Sequence, residues 1–119
     1  KNIVREMVAR IKRLGGSPRD CLAAIGPCIG SCCYEVGEDV AAIFRETSYK
    51  SSITPTNHAD RYMLDLAGIN KTQLIQQGIP PENIETARFC TACREDLFYS
   101  YRREGETGRM AAFIQRNIC

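Results

Sequence analysis

A single histidine, His58, excludes a self-contained multi-histidine zinc or copper site within these 119 residues. No apolar run approaches the ~20 residues that a membrane-spanning helix needs. The charged N-terminal segment also lacks the apolar stretch of a signal peptide, so a cytoplasmic location with no membrane partner is expected. Excess charge of one sign is small: sixteen Lys+Arg face fourteen Asp+Glu, a net of +2, which gives no ground for a nucleic-acid partner. Seven cysteines are odd in number and below the ~8–10% density of a disulfide scaffold, so reduced thiols or a metal are expected instead of a bridge framework. What is present is ordinary for a globular chain, 44% hydrophobic and 25% charged, and the length predicts one domain over residues 1–119.

Charge is unevenly placed, with six basic side chains and only Glu6 in residues 1–19, so the first helix has a basic outer face. Ile3, Val4, Met7, Val8, Ile11 and Leu14 recur at helical spacing before Gly15-Gly16, which predicts a helix over 2–14. The short apolar run 21–25, stopped by Gly26-Pro27, predicts a buried central strand. Residues 26–33 hold too many turn formers for regular structure and predict a tight loop at the strand's C-terminal end, a place that often holds ligands. A second helix is expected over 37–46, then a polar loop over 47–60. Asp65 is placed to cap a third helix running to 77, which Gly78 and Pro80-Pro81 stop. Residues 84–89 predict a strand, and 97–102 with 109–115 flank Gly105-Glu106-Thr107-Gly108 as a hairpin. The element order αβ-αα-βββ suggests mixed α+β layers.

Three features could carry chemistry. Cys90 and Cys93 have CxxC spacing, and with Cys28, Cys32 and Cys33 they could surround a tetrahedral zinc ion. Against that, the first group is spaced C-x3-C-C and not as a second CxxC, and free cysteine is a common small buried residue. His58 beside Asp60 reads as a solvated loop histidine. Phe98-Tyr99-Ser100-Tyr101-Arg102-Arg103 with Gly108-Arg109 would suit an anionic ligand bearing a flat ring, such as a nucleoside with phosphate: guanidinium forks bind phosphate oxygens and aromatic faces stack on a base. The plainer alternative is a strand pair with core aromatics on one face and solvated arginines on the other.

Ala24-Ile25-Gly26-Pro27-Cys28-Ile29-Gly30-Ser31-Cys32-Cys33-Tyr34-Glu35-Val36-Gly37, then Asp65-Leu66, Cys90-Thr91, Leu97-Phe98-Tyr99-Ser100-Tyr101-Arg102-Arg103 and Thr107-Gly108-Arg109-Met110-Ala111, resemble the YfiH-type family across essentially the whole chain. That family has been called laccase-domain or polyphenol oxidase-like and is understood as zinc-dependent purine nucleoside phosphorylases, with adenosine deamination also ascribed to members. The resemblance implies a layered α/β/β/α sandwich, phosphorolysis of a purine nucleoside to free base and ribose 1-phosphate, and zinc in the complete protein. The family's ligands are two histidines and a cysteine, one histidine lying in a His-Ala-Gly-Trp-Arg-Gly segment. This chain has no tryptophan and no such segment. It is therefore expected to represent the C-terminal half of one catalytic domain, to lack its missing N-terminal half as partner, to hold no metal itself and to be inactive alone.

Within the half present, chemistry nominates Arg102, Arg103 and Arg109 for anion binding, and Gly26, Cys33 and Tyr34 as pocket wall, a structural role for residues 100–103 being the competing reading. Two alternatives for function are a copper-dependent polyphenol oxidase, which would require several His-rich copper sites, and a non-enzymatic zinc-ribbon or interaction module built on the cysteines. Half of a layered sandwich should also leave a large apolar face uncovered.

Overall fold

The computed structural model describes residues 2–116. In chain order its elements are α1 (Ile3–Arg13), β1 (Ala23–Ile25), β2 (Glu35–Gly37), α2 (Glu38–Arg45), β3 (Ile53–Pro55), β4 (Arg61–Leu64), α3 (Leu66–Gln76), β5 (Ile84–Thr86) and the single turn α4 (Tyr101–Glu104). Short 3-10 turns at Pro18–Asp20, Lys50–Ser52 and Pro81–Asn83 lead the chain towards β1, β3 and β5.

α1 starts where Asn2 Oδ1 accepts the Arg5 N–H at 2.9 Å, and the chain leaves it through Gly15, whose φ of 90° suits glycine. β1 and β5 pair in parallel, with Ala23 opposite Ile84 and Ile25 opposite Thr86. Between them the chain builds a three-stranded antiparallel sheet in the order β2-β4-β3, with Val36 opposite Tyr62 and Thr54 opposite Met63. Two apolar clusters result. Val8, Ile79 and Ile84 join α1 to the parallel pair, whereas Val36, Leu64 and Ile69 join α3 to the antiparallel sheet, with Phe44 and Tyr49 packed against them.

Both clusters are small, and the radius of gyration, 16.1 Å, exceeds the ~13.5 Å that length alone gives a compact domain. The molecule measures 49 × 36 × 22 Å, so it is thin in one direction. A groove of about 450 Å³ opens beside α1 between Ile3, Met7, Ile11, Leu22, Leu74 and Ile79. Ile3 is 72% exposed and Leu22 79%, so the uncovered apolar face expected from the sequence is present. No helix among the described residues is long and apolar enough to cross a membrane.

The helices lie where periodicity places them, each shorter by one or two residues. The strand expected over 21–25 shrinks to β1, which is neither buried nor central, having no buried residue and only β5 as a neighbour, and the strand expected over 84–89 shrinks to β5. Two further expectations are corrected. Residues 47–60 are more than a loop, since they contain a 3-10 turn and β3, which pairs with β4. The hairpin over 97–115 does not form. Ser100 Oγ accepts the Arg103 N–H at 3.3 Å and caps α4, while residues 105–116 have no strand or helix. An alternating pattern becomes a strand only with a neighbour to pair, and none lies beside this segment among the described residues.

Candidate metal centre and adjoining pocket

The parallel pair determines where the chemistry collects. Strands that run the same way end at the same edge, so the loops leaving β1 and β5 emerge side by side. Their contact continues past the strands: Ala87 N–H donates to Ile25 O at 2.9 Å, the backbones of Cys28 and Cys90 pair as an isolated parallel β-bridge, and Thr91 N–H donates to Cys28 O at 3.0 Å. Each loop then tightens into a turn, Cys33 N–H bonding Gly30 O at 3.0 Å and Arg94 N–H bonding Cys90 O at 3.1 Å. The turns bring together Cys32, Cys33, Cys90 and Cys93, whose Sγ atoms all lie within 4.8 Å of one another.

Cys93 Sγ lies 3.5 Å from Cys32 Sγ and 3.4 Å from Cys33 Sγ, and Cys90 Sγ accepts the Gly30 N–H at 3.2 Å. Gly30 packs closely here: a Cβ would meet Cys32 Sγ and Cys90 Cβ at 3.2 Å, so these side chains would have to give by a few tenths of an ångström. The thiols differ electrostatically. Burial works against the Cys90 thiolate, yet donation from the Gly30 and Cys93 backbone, the Cys32 thiol and the Ala92 backbone brings its pKa down to about 6. Cys33 is pushed up to about 12, chiefly by its hydrogen bond to Cys93 and then by burial. The same two causes raise Cys32. A tetrahedral zinc thiolate has Zn–S bonds of ~2.3 Å and hence S···S edges of ~3.8 Å; the sulfur separations here, 3.4 and 3.5 Å for two pairs and all within 4.8 Å, bracket that length.

The cluster overturns the expectation that this chain holds no metal site and needs no metal. The C-x3-C-C spacing counted against a shared zinc site because it differs from a second CxxC. Two unlike turns can nevertheless present paired thiols to one point when parallel strands launch them together. Cys28 stays outside the set, its thiol raised by burial and then by the carboxylate of Asp65. Cys21 lies across the molecule in the α1 cluster.

The other predicted residues separate. Tyr34 and Arg102 come together: the Arg102 guanidinium lies 5.2 Å from the centre of the Tyr34 ring, and its Nη1 donates to Glu35 O at 3.2 Å. They line a cavity of about 310 Å³ with Ile29, Thr91, Tyr99 and Tyr101. Arg109 lines a neighbouring cleft of about 330 Å³ that also contains Tyr101, so this ring separates the two arginines. Arg103 is turned away, its Nη1 donating to Thr91 O at 3.0 Å and Ala92 O at 2.8 Å and its Nη2 to Phe98 O at 3.0 Å. Gly26 sits at the end of β1 with nothing within 4 Å of a notional Cβ, and Cys33 belongs to the thiol cluster. His58 is exposed in the turn before β4. Tyr99 and Tyr101 come from the aromatic run and Ile29 from the 26–33 loop that the sequence pointed to, whereas Thr91 was not expected as a cavity wall and reaches it through the contact between the two cysteine loops.

Two short sheets packed against helices, with the cysteine loops at the end of a parallel pair, define a mixed α/β layered sandwich of the YfiH type. The chain belongs to the multi-copper polyphenol oxidoreductase laccase family, whose model matches residues 1–117. Among its relatives is the purine nucleoside phosphorylase YlmD of Geobacillus stearothermophilus, 44% identical over 103 residues, covering 84% of this chain and 38% of that protein. The purine nucleoside phosphorylase YfiH of Escherichia coli K12 is 37% identical over 98 residues, covering 82% of this chain and 40% of that protein. The hypothetical protein YfiH of Bacillus licheniformis superposes with a TM-score of 0.79 at 38% identity, covering 86% of this chain and 39% of that one. The crystal structure of YlmD from Geobacillus stearothermophilus superposes with a TM-score of 0.72 at 34% identity, covering the same 86% of this chain and 39% of that one. The chain thus spans about two-fifths of the length of the relatives it matches.

The family's description names copper chemistry. Multicopper sites are rich in histidine, whereas His58 stands exposed and apart from the thiols. The described residues do not fit such a set, and no step is assigned to copper.

Proposed function

We propose that this chain forms part of the catalytic domain of a purine nucleoside phosphorylase and supplies walls and a cation to its substrate pocket. The observation that carries this reading is the cavity in which the rings of Tyr34, Tyr99 and Tyr101 meet the exposed guanidinium of Arg102, in a chain whose relatives are named purine nucleoside phosphorylases. In phosphorolysis a phosphate oxygen forms a bond to C1′ of the ribose while the glycosidic C–N bond breaks. The base leaves with that electron pair, takes up a proton, and ribose 1-phosphate remains. Phosphate is a strongly hydrated anion that must leave water to reach C1′, so a guanidinium at the pocket rim lowers the cost of bringing it in. Aromatic faces hold a purine without demanding one particular base. Arg102 fits the first task and the tyrosines the second, while Arg109 offers a second cation beyond Tyr101.

The chain spans about two-fifths of the relatives named as phosphorylases, so residues 1–119 prepared alone are expected to release no base. The test uses the complete protein with inosine, with and without phosphate. Hypoxanthine release only when phosphate is present supports the reading, as does a roughly ten- to hundredfold loss of kcat/KM in Arg102→Ala. Copper-dependent oxidation of phenols without phosphate-dependent base release would overturn it.

A further inference from the structure

We propose that Cys32, Cys33, Cys90 and Cys93 hold one zinc ion as a closed tetrathiolate that clasps the β1 and β5 loops and so fixes two walls of the Tyr34–Arg102 cavity. Two thiols come from each loop, and all four Sγ atoms fall within 4.8 Å of one another. A disulfide explains this arrangement less well. Cys93 is equally near Cys32 and Cys33, at 3.5 and 3.4 Å, so no unique pair is defined, and Cys90 would be left over with its sulfur aimed at the Gly30 N–H. One tetrahedral ion uses all four at once. An all-sulfur donor set selects a soft ion, and tetrahedral S4 geometry is that of structural zinc. Four thiolates leave no coordination position for water or substrate, so the task is structural. The small core gives such a clasp something to stabilise, as it does in other chains with little buried apolar surface.

The clasp reaches the cavity through short covalent and hydrogen-bonded links. Tyr34 directly follows Cys33, and Thr91 directly follows Cys90; both line the cavity. Arg103 binds the carbonyls of Thr91 and Ala92 inside the second turn, and its neighbour Arg102 faces the Tyr34 ring. Holding the turns therefore holds both sides of the opening. The metal assignment stands apart from the substrate reading, because it rests only on the thiols.

The test compares metal content in the purified protein and its variants. Wild type should carry one more equivalent of zinc than Cys93→Ser or Cys32→Ser, and Cys21→Ser should match wild type. Chelation of that zinc should lower Tm by about 10 °C or more. Cobalt(II) added to the zinc-free wild type should give thiolate-to-metal charge-transfer absorption and the intense visible bands of a tetrahedral site, a readout that needs no variant to fold. Equal zinc in wild type and Cys93→Ser would overturn the proposal. So would a cobalt spectrum without thiolate charge transfer, or preferential retention of copper by the four thiols.

Discussion

Arg103 turns its planar fork onto three backbone carbonyls, whereas Arg102, one position earlier, lays its guanidinium against the Tyr34 ring. A hairpin would have placed such neighbours on opposite faces, and the cap at Ser100 separates them by winding a helical turn instead. Arg103→Ala leaves those carbonyls without their donor, and its side chain is only 20% exposed, so a loss of about 2–3 kcal/mol of stability is expected in denaturant unfolding. Arg103→Lys should recover little of it, because a point charge cannot span carbonyls on both sides. At Glu38 the expected effect is one of pH. Its two-pronged contact with Arg45, at 2.5 and 2.8 Å, and then the Tyr62 hydroxyl hold its pKa at about 2 in place of the ordinary 4.5. The folded pKa is depressed, so the carboxylate's contribution is complete above about 4.5 and disappears as pH falls towards 2. An NMR titration of the Glu38 carboxyl should show the low midpoint, and Arg45→Gln should return it towards 4.5.

At the scale of elements, α3 shows what local sequence can specify. Asp65 Oδ1 accepts the Gly68 N–H at 3.0 Å, the cap read from the sequence, and Gly78 with φ of 99° ends the helix where glycine is needed. Asp65→Ala should cost about 1 kcal/mol by thermal unfolding, and Asp65→Asn should cost less because the capping oxygen remains. The alanine variant should also lower the Cys28 pKa, since the nearby carboxylate contributes to raising it, and thiol alkylation against pH measures that change. Strand β4 was illegible by contrast. Arg61-Tyr62-Met63-Leu64 is only four residues, follows a polar stretch and runs straight into a helix cap, so no window reveals its period. It becomes a strand because β2 and β3 lie on either side of it. The thiol cluster was legible only in part for a related reason: the sequence shows which cysteines could share an ion, but that Cys32, Cys33, Cys90 and Cys93 meet while Cys28 stays out depends on the parallel pairing of two distant loops, a long-range contact.

Across the whole molecule, the amphipathic pattern of α1 was readable from its period, and an uncovered face followed from the half sandwich that the family resemblance implied; the structure puts that face on the stripe of Ile3, Met7 and Ile11. An exposed apolar groove of this kind binds hydrophobic dyes. Residues 1–119 prepared alone should enhance the fluorescence of ANS, and Met7→Lys should reduce that signal while changing stability by less than about 1 kcal/mol, since Met7 is 58% exposed already. The family motifs made the sandwich legible as a class, though not which of the two arginines would face the cavity.

Cys32 and Cys93 are separated by 61 positions, with the whole antiparallel sheet and two helices between them. During translation at ~5–20 residues per second, the first pair of sulfurs therefore leaves the ribosome some ~3–12 seconds before the second. In that interval Cys32 and Cys33 meet cellular oxidants and competing ions with half their coordination partners still unsynthesised, so biogenesis is when this chain is most vulnerable.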